Sequence, residues 1–183
     1  MDILVLEIKV FFDNKMLIET KGWTMIKIHK PCENNMFCLD HARLLYDNFY
    51  AVTGRKLVVD KFNDIKSAKN IFESSIVIVS HDVSSDPIFN YANQAALDLF
   101  EMGWEEFTIL PSRKSAERIN RDERSRLLAE VADNGFIDNY TGVRISKTGK
   151  RFTIKNAIVW NLRDRSGVYK GQAAAFSEWD LII

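Results

Sequence analysis

Apolar residues at Cys38, Ala42, Leu45, Phe49 and Val52 recur at alternating steps of four and three, which lays one stripe along a helix over about residues 36–53. Asn34 and Asn35 stand where such a helix is capped, and Gly54 where it must leave through a left-handed residue. A second, shorter helix is predicted over 64–72, with Ile65, Ala68 and Phe72 on one face. From Ile76 the period changes. IVIVS (76–80) is a β-branched run of the kind that fills a buried strand. SSDP turns the chain, because Ser and Asp bond their own backbone and Pro87 presets φ. IFNYA (88–92) is a second strand, Asn93 caps the helix QAALDLFEM, and Gly103 stops it. A short turn, WEEF (104–107), leads into the loop LPSRKSAE.

Asn120 opens the best-marked helix. Glu123 follows three residues later, close to a capping box, and Asp122 suits the positive end of the helix dipole. Leu127, Leu128 and Val131 are its apolar face, and Gly135 ends it. Three strands follow, at about 137–146, 151–163 and 168–179, joined by hairpin turns at SKTGK and RDRSG. Alternation through the middle strand predicts that Phe152, Ile154, Ile158, Trp160 and Leu162 share one face. The N-terminal MDILVLEIKVFF reads as a short strand or an arm. Asp2, Glu7 and Lys9 interrupt it and no small-residue cleavage site follows, which argues against a signal peptide, and the apolar run is far too short to span a bilayer. Met16, Met25 and Met36 are alternative starts. The expected division is an arm over 1–35, part of it disordered or a mis-assigned start, a helical extension over 36–74 and a core over 75–183.

Composition narrows the function. The chain has 183 residues, 46% of them hydrophobic and 27% charged, with 8 Gly and 3 Pro, as a compact globular protein does. A formal net charge of zero and a pI of 6.8 exclude a globally basic surface for nucleic acid or anionic membrane. Two cysteines, Cys32 and Cys38, cannot scaffold a domain of this size, and free thiols suit the cytoplasm. His81 with Asp82 or Asp86 is the one candidate catalytic group, since His29 and His41 lie outside the core. A general base needs a positioned partner, and neither GxSxG nor HExxH is present, so SHDVSSD reads as a strand-to-turn segment. An enzyme working through His81 remains the alternative from another class. Cys32, Cys38, Asp40 and His41 lack the tight pairing of a zinc site, and no metal is expected. Arg113, Lys114, Arg118, Arg121, Arg124 and Arg126 are diluted by Glu117, Asp122 and Glu123. They make a solvated face or a docking surface for an acidic partner, without the aromatic interleaving of a nucleic-acid groove.

The segments DPIFNYANQAALDLFEM, TGKRFTIKNAIVWNL and GQAAAFSEW resemble the MEKHLA domain, a PAS-like module. It stands at the C-terminus of plant class III homeodomain–leucine zipper regulators and also occurs as small stand-alone bacterial and algal proteins. The similarity covers about residues 37–180 and is of the stand-alone type. With no homeodomain or zipper here, the DNA-binding role does not carry over. Together with the element order, the resemblance implies an α+β fold. This is a PAS-like five-stranded antiparallel sheet with short helices and one long helix on one face, preceded by N-terminal helices. It also implies a non-enzymatic sensory or regulatory module.

Such folds hold ligands where the inner face of the sheet meets the short helices. Phe89, Tyr91, Trp104, Phe107, Phe152 and Trp160 would converge there, and either line a pocket or fill it. In a pocket, Asn93, Arg113 and Gln172 would orient a small non-covalent ligand, and Ala173, Ala174 and Ala175 would leave it room. No cofactor is predicted. Flavin photoreceptors of this fold carry a reactive cysteine in a GxNCRF-type motif, where this chain has LPSRKSAE. Gln172 follows Gly171 directly, one place off their GxQ spacing, so a covalent flavin adduct is not expected. The Cys38–Ala42–Leu45–Phe49–Val52 stripe must be buried, since a row of five exposed apolar residues would be adhesive. It is expected either on the chain's own sheet, against Val143, Val159 and Phe176, or on a partner in a symmetric dimer, the dimer being preferred. Self-association or another protein is the expected partner, with no nucleic acid and no membrane.

Overall fold

A computed structural model describes residues 9–12, 15–20, 23–116, 129–131 and 133–182, the stretch 9–28 as backbone. Strands β1 (Lys9–Phe12), β2 (Lys15–Thr20) and β3 (Trp23–Ile28) pair antiparallel in chain order into a small sheet of their own. One strand or an arm was expected in this region. KMLIET and WTMIKI supply the β-branched and aromatic residues of two further strands.

The remaining elements are α1 (Leu39–Thr53), α2 (Ile65–Glu73), β4 (Val77–His81), β5 (Phe89–Ala92), α3 (Gln94–Phe100), α4 (Trp104–Phe107), β6 (Phe136–Ile145), β7 (Arg151–Arg163), β8 (Tyr169–Phe176) and β9 (Glu178–Ile182). The main sheet runs β5-β4-β8-β7-β6, every pair antiparallel. β8 pairs with residues 158–163 of β7. After a break at Ser177, β9 pairs with Arg151–Lys155 of β7. The last strand of the sequence reading is therefore two segments, and the sheet has six strands instead of five. Of the long helix expected over 120–135, residues 129–131 and 133–134 are helical. Gly135, at φ +89, closes it by donating its N–H to the Val131 carbonyl at 2.9 Å. The Asn120 cap, Glu117, Asp122, Glu123, Leu127, Leu128 and the arginines 118, 121, 124 and 126 lie outside the described residues.

Two asparagines set which side chains face which side of the sheet. Ile137 pairs with Val159 and Tyr140 with Ala157, so β6 has one residue too many; Gly142 then pairs with Ile154, so β7 has one too many. Asn139 (φ +64) and Asn156 (φ +50) take these bulges in left-handed backbone, which Asn tolerates better than most residues. The bulge at Asn156 flips the parity of β7. Phe152 and Ile154 lie on one face with Ala157 and Val159, whereas Ile158, Trp160 and Leu162 lie on the other. The single shared face expected from alternation is thereby corrected.

α1 covers the second of these faces. Ala42 and Leu45 are fully buried, and Phe49 meets Trp160 edge-on at 5.0 Å. Asn48 clamps the helix to β7, donating to the Arg163 carbonyl at 2.9 Å and accepting its N–H at 3.0 Å. Cys38 is buried and Val52 half-buried. The stripe is thus covered by the chain's own sheet, the first of the two expected placements. Its acceptor is the Trp160 face; Val159 and Phe176 line the opposite side.

That opposite, inner face is covered by α3, α4 and the 3-10 turn Ser112–Ser115. Phe100 of α3 packs on Phe152 at 5.3 Å, and Phe107 of α4 stacks on Phe89 at 4.4 Å. Asn93 joins this layer to the sheet. Its Oδ1 accepts the N–H groups of Ile78 (2.9 Å) and Ala96 (3.1 Å), and its Nδ2 donates to the carbonyls of Ile76 (2.7 Å), Ser74 (3.1 Å) and Ile71 (3.4 Å).

Candidate functional site

The inner face of the sheet, β6 and the helical layer enclose a cavity of about 50 Å³, room for roughly four water-sized groups. Cross-strand pairing builds its floor in rows. Val79, Ala174 and Val159 form an apolar row across β4, β8 and β7; His81, Gln172 and Asn161 form a polar row beside it. Phe89, Phe100, Ile154 and Phe176 close the apolar walls. Ser115, Tyr140 and Arg144 add polar groups from the 3-10 turn and from β6.

Two glycines permit close approaches around this space. At Gly142 a Cβ would collide with the Tyr140 ring and hydroxyl, so the absent side chain lets Tyr140 lie flat along β6. At Gly171 (φ +124) a Cβ would collide with the His81 carbonyl oxygen, so β8 meets β4 there only as glycine.

Arg144 is 92% buried and reaches along the inner face of β6. It donates to the Val143 carbonyl at 2.8 Å and to the Tyr140 hydroxyl at 3.0 Å, with the guanidinium carbon 5.4 Å from the Tyr140 ring centroid. Gln172 donates to Asn161 Oδ1 at 3.1 Å, and Asn161 donates to the Val131 carbonyl at 2.8 Å, tying the polar row to the helix above it.

Of the residues singled out in the sequence, Phe89 and Gln172 line the cavity, and Phe152 packs behind it against Phe100. Trp160 faces α1, for the parity reason given above. Tyr91 pairs with Ser80 and stacks on His41 at 5.1 Å, also on the α1 side, with Trp104 edge-on to it at 6.1 Å. Burial, followed by nearby Cys38, pushes the Tyr91 hydroxyl pKa up. Asn93 points into the fold and has every polar atom engaged. Arg113 is exposed and bonds Asp86 at 2.8 Å. Of the three alanines, Ala173 and Ala174 line the cavity; by strand parity the methyl of Ala174 is on the inner face, and those of Ala173 and Ala175, one residue either side, are on the α1 face.

His81 is buried, with Nδ1 2.9 Å from the Asp82 carbonyl. The Asp82 carboxylate caps the turn instead of orienting the imidazole: it accepts from the N–H of Ile88 (2.9 Å) and from the N–H (3.1 Å) and hydroxyl (2.8 Å) of Ser84. Burial works to raise the Asp82 pKa, yet these hydrogen bonds together hold it below the ordinary carboxylate range. Asp86 is taken by Arg113. On the other face His41 Nε2 lies 2.9 Å from Ser80 Oγ, a spacing that invites a nucleophile–base reading. The Ser80 hydroxyl donates to Asn90 Oδ1 at 2.6 Å, so His41 donates to Ser80 and does not take its proton. Among the described residues no three Cys, His, Asp or Glu side chains gather as metal ligands. Cys38 lies buried under α1, where burial, followed by neighbouring Cys32, pushes its thiol up to about 12.

Sequence reasoning missed Arg144, Tyr140 and His81 as lining residues. The signal for Arg144 was available, since placing Val143 on the outside puts its neighbour inside.

Comparisons with known proteins bear on this arrangement. The profile of the family described as "MEKHLA domain" matches residues 39–181. No curated protein matches the sequence. Among solved structures, the chain is similar to the PAS domain of a protein from Colwellia psychrerythraea, with 15% identity and a TM-score of 0.53 over 64% of this chain and 94% of that one. It is also similar to an RNA-binding Light-Oxygen-Voltage receptor, with 19% identity and a TM-score of 0.50 over 57% of this chain and 30% of the receptor. At these identities the likeness shows the fold, which is PAS-like. Among the described residues no helix is long and apolar enough to cross a membrane.

Proposed function

The chain belongs to the MEKHLA domain family, and from that premise we propose that it is a non-enzymatic sensory or regulatory module in the cytoplasm. Its signal is a small molecule bound without covalent attachment between the sheet and the helical layer, and its output is association with another copy or a second protein. The observation that carries this reading is the mixed lining of the inner face, where an apolar floor adjoins His81, Gln172 and Arg144. Ligand sites pair a largely apolar lining with a few convergent polar groups, and the lining of this face has that character.

The size of the cavity limits the ligand. A drug-sized molecule or a flavin needs a few hundred Å³, roughly 300 or more, and 50 Å³ is well below that. The signal is therefore a compact molecule, or a larger one that reshapes the cavity. The same small volume favours a second reading, an interaction domain whose core is filled by Phe89, Phe107, Phe100 and Phe152 and which binds no ligand.

The two readings separate in one experiment. Purified protein is examined by native mass spectrometry and by thermal melting against a broad set of metabolites, because a ligand that binds the native state raises its melting temperature. A bound species or a saturable rise supports the sensory module. A null result across the whole set rejects it in favour of the filled-core interaction domain. Light scattering at tens of micromolar, with and without ligand, tests self-association.

A further inference from the structure

The cavity has one feature that a neutral ligand would not require. Arg144 is 8% exposed and lines it, and a guanidinium stays charged at every ordinary pH. Its two hydrogen bonds go to neutral oxygens, the Val143 carbonyl and the Tyr140 hydroxyl. No carboxylate among the described residues makes an ion pair with it; the ion pairs there involve other cations. Buried charges are ordinarily paired, since an uncompensated one loses its hydration without return. The Tyr140 clamp and the bare backbone of Gly142 beneath it hold the guanidinium along β6 rather than letting it reach bulk water.

We propose that the cavity is a site for a small carboxylate, with Arg144 as its counter-ion. A carboxylate matches the planar guanidinium fork and accepts hydrogen bonds that neutral oxygens leave unused. The volume sets the size at about four to six non-hydrogen atoms, a two- or three-carbon acid. Its carboxylate lies at the Arg144 end, and its short alkyl part lies over the Val79–Ala174–Val159 row. This inference rests on the functional reading above and specifies the ligand class of the same site.

The test uses the full chain at pH 7 and constant ionic strength, titrated with acetate and propionate, with acetamide as the neutral isostere and chloride as the simple anion. Melting is followed together with line broadening of 13C-labelled acetate. Acetate or propionate should bind saturably and raise the melting temperature by about 3–6 °C at ten times the Kd. Acetamide and chloride should not. Arg144→Gln should weaken carboxylate binding about tenfold or more, as expected for a hydrogen bond to a charged group. If that variant does not fold, the wild-type titration against acetamide still decides. An Arg144→Gln variant that folds and binds acetate as tightly as wild type overturns the inference, as does equal binding of acetamide or chloride. A neutral metabolite that stabilises the protein where carboxylates fail overturns the carboxylate but leaves the sensory reading standing; failure of every small molecule removes both.

Discussion

Asn93→Ala removes five hydrogen bonds at once. The side chain is fully buried and holds three elements in register: the end of α2 through the Ile71 and Ser74 carbonyls, the start of β4 through Ile76 and Ile78, and the first turn of α3 through Ala96. Loss of the cap on α3 costs about 1 kcal/mol. Leaving the Ile78 N–H and the Ile76 carbonyl without their partner costs about 1–3 kcal/mol each, at the low end if water enters the space vacated by the carboxamide. The sum is about 3–7 kcal/mol, near its low end with water in the vacated space, a large share of the roughly 5–15 kcal/mol that holds a native domain together. Urea unfolding should show that loss as a lower midpoint at unchanged m-value, and melting should fall by about 10 °C. Asn93→Ser, which keeps a cap acceptor but no donors, should fall between wild type and Ala. Asn93→Asp should be about as damaging as Ala, because its second carboxylate oxygen would face the carbonyls of Ile76, Ser74 and Ile71. An Ala variant within about 1 kcal/mol of wild type, inside the spread of a cap alone, or an Asp variant indistinguishable from it, would refute the three-way role of this side chain.

Leu45→Ala and Phe49→Ala each open a hole between α1 and the Trp160 face, and each should cost several kcal/mol, about 2–5, in urea unfolding; a wild-type melting temperature in Phe49→Ala would contradict the packing of α1 on its own sheet. Arg113→Ala breaks an exposed, solvent-screened pair with Asp86 and should leave the melting temperature close to wild type, with ligand binding unaltered; a large loss of binding would return Arg113 to the site. The Glu101 carboxylate accepts hydrogen bonds from Lys150 first, then Thr148 and Ser146, and these hold its pKa down at about 2 against an ordinary 4.5. A depressed folded pKa means that its contribution to stability is whole above pH 4.5 and is lost as the pH falls through about 2. The melting temperatures of wild type and Glu101→Gln should therefore converge as the pH is lowered from 6 to 2.5, and parallel curves would show that the carboxylate contributes nothing.

What the sequence made legible was what neighbouring residues decide among themselves. The stripe of α1, the Asn93 cap, the turn at SSDP and the two C-terminal hairpins are all set within a few residues, and the order of elements followed from them. The face of β7 was not legible, because it depends on whether Asn156 continues the strand or takes a left-handed bulge, and the register with β6 decides that. One misplaced parity put Trp160 beside Phe152 and Val159 on the outside. Arg113 and Arg144 show the same limit. A charge in a Ser-rich turn looked available to a ligand and is spent on Asp86, whereas Arg144, between Val143 and Ile145, was not singled out and lies buried in the cavity.

The central claim is that the inner face of the sheet receives a ligand. The most direct measurement is a high-resolution electron-density map of protein purified from its source cells without unfolding, inspected in the space bounded by Phe89, Gln172 and Arg144. Continuous density of a compact non-water molecule is expected there, with a polar end within hydrogen-bonding distance of the Arg144 guanidinium. Isolated water peaks there, or side chains closed over the space, in protein that also melts identically with every metabolite tried, would contradict it.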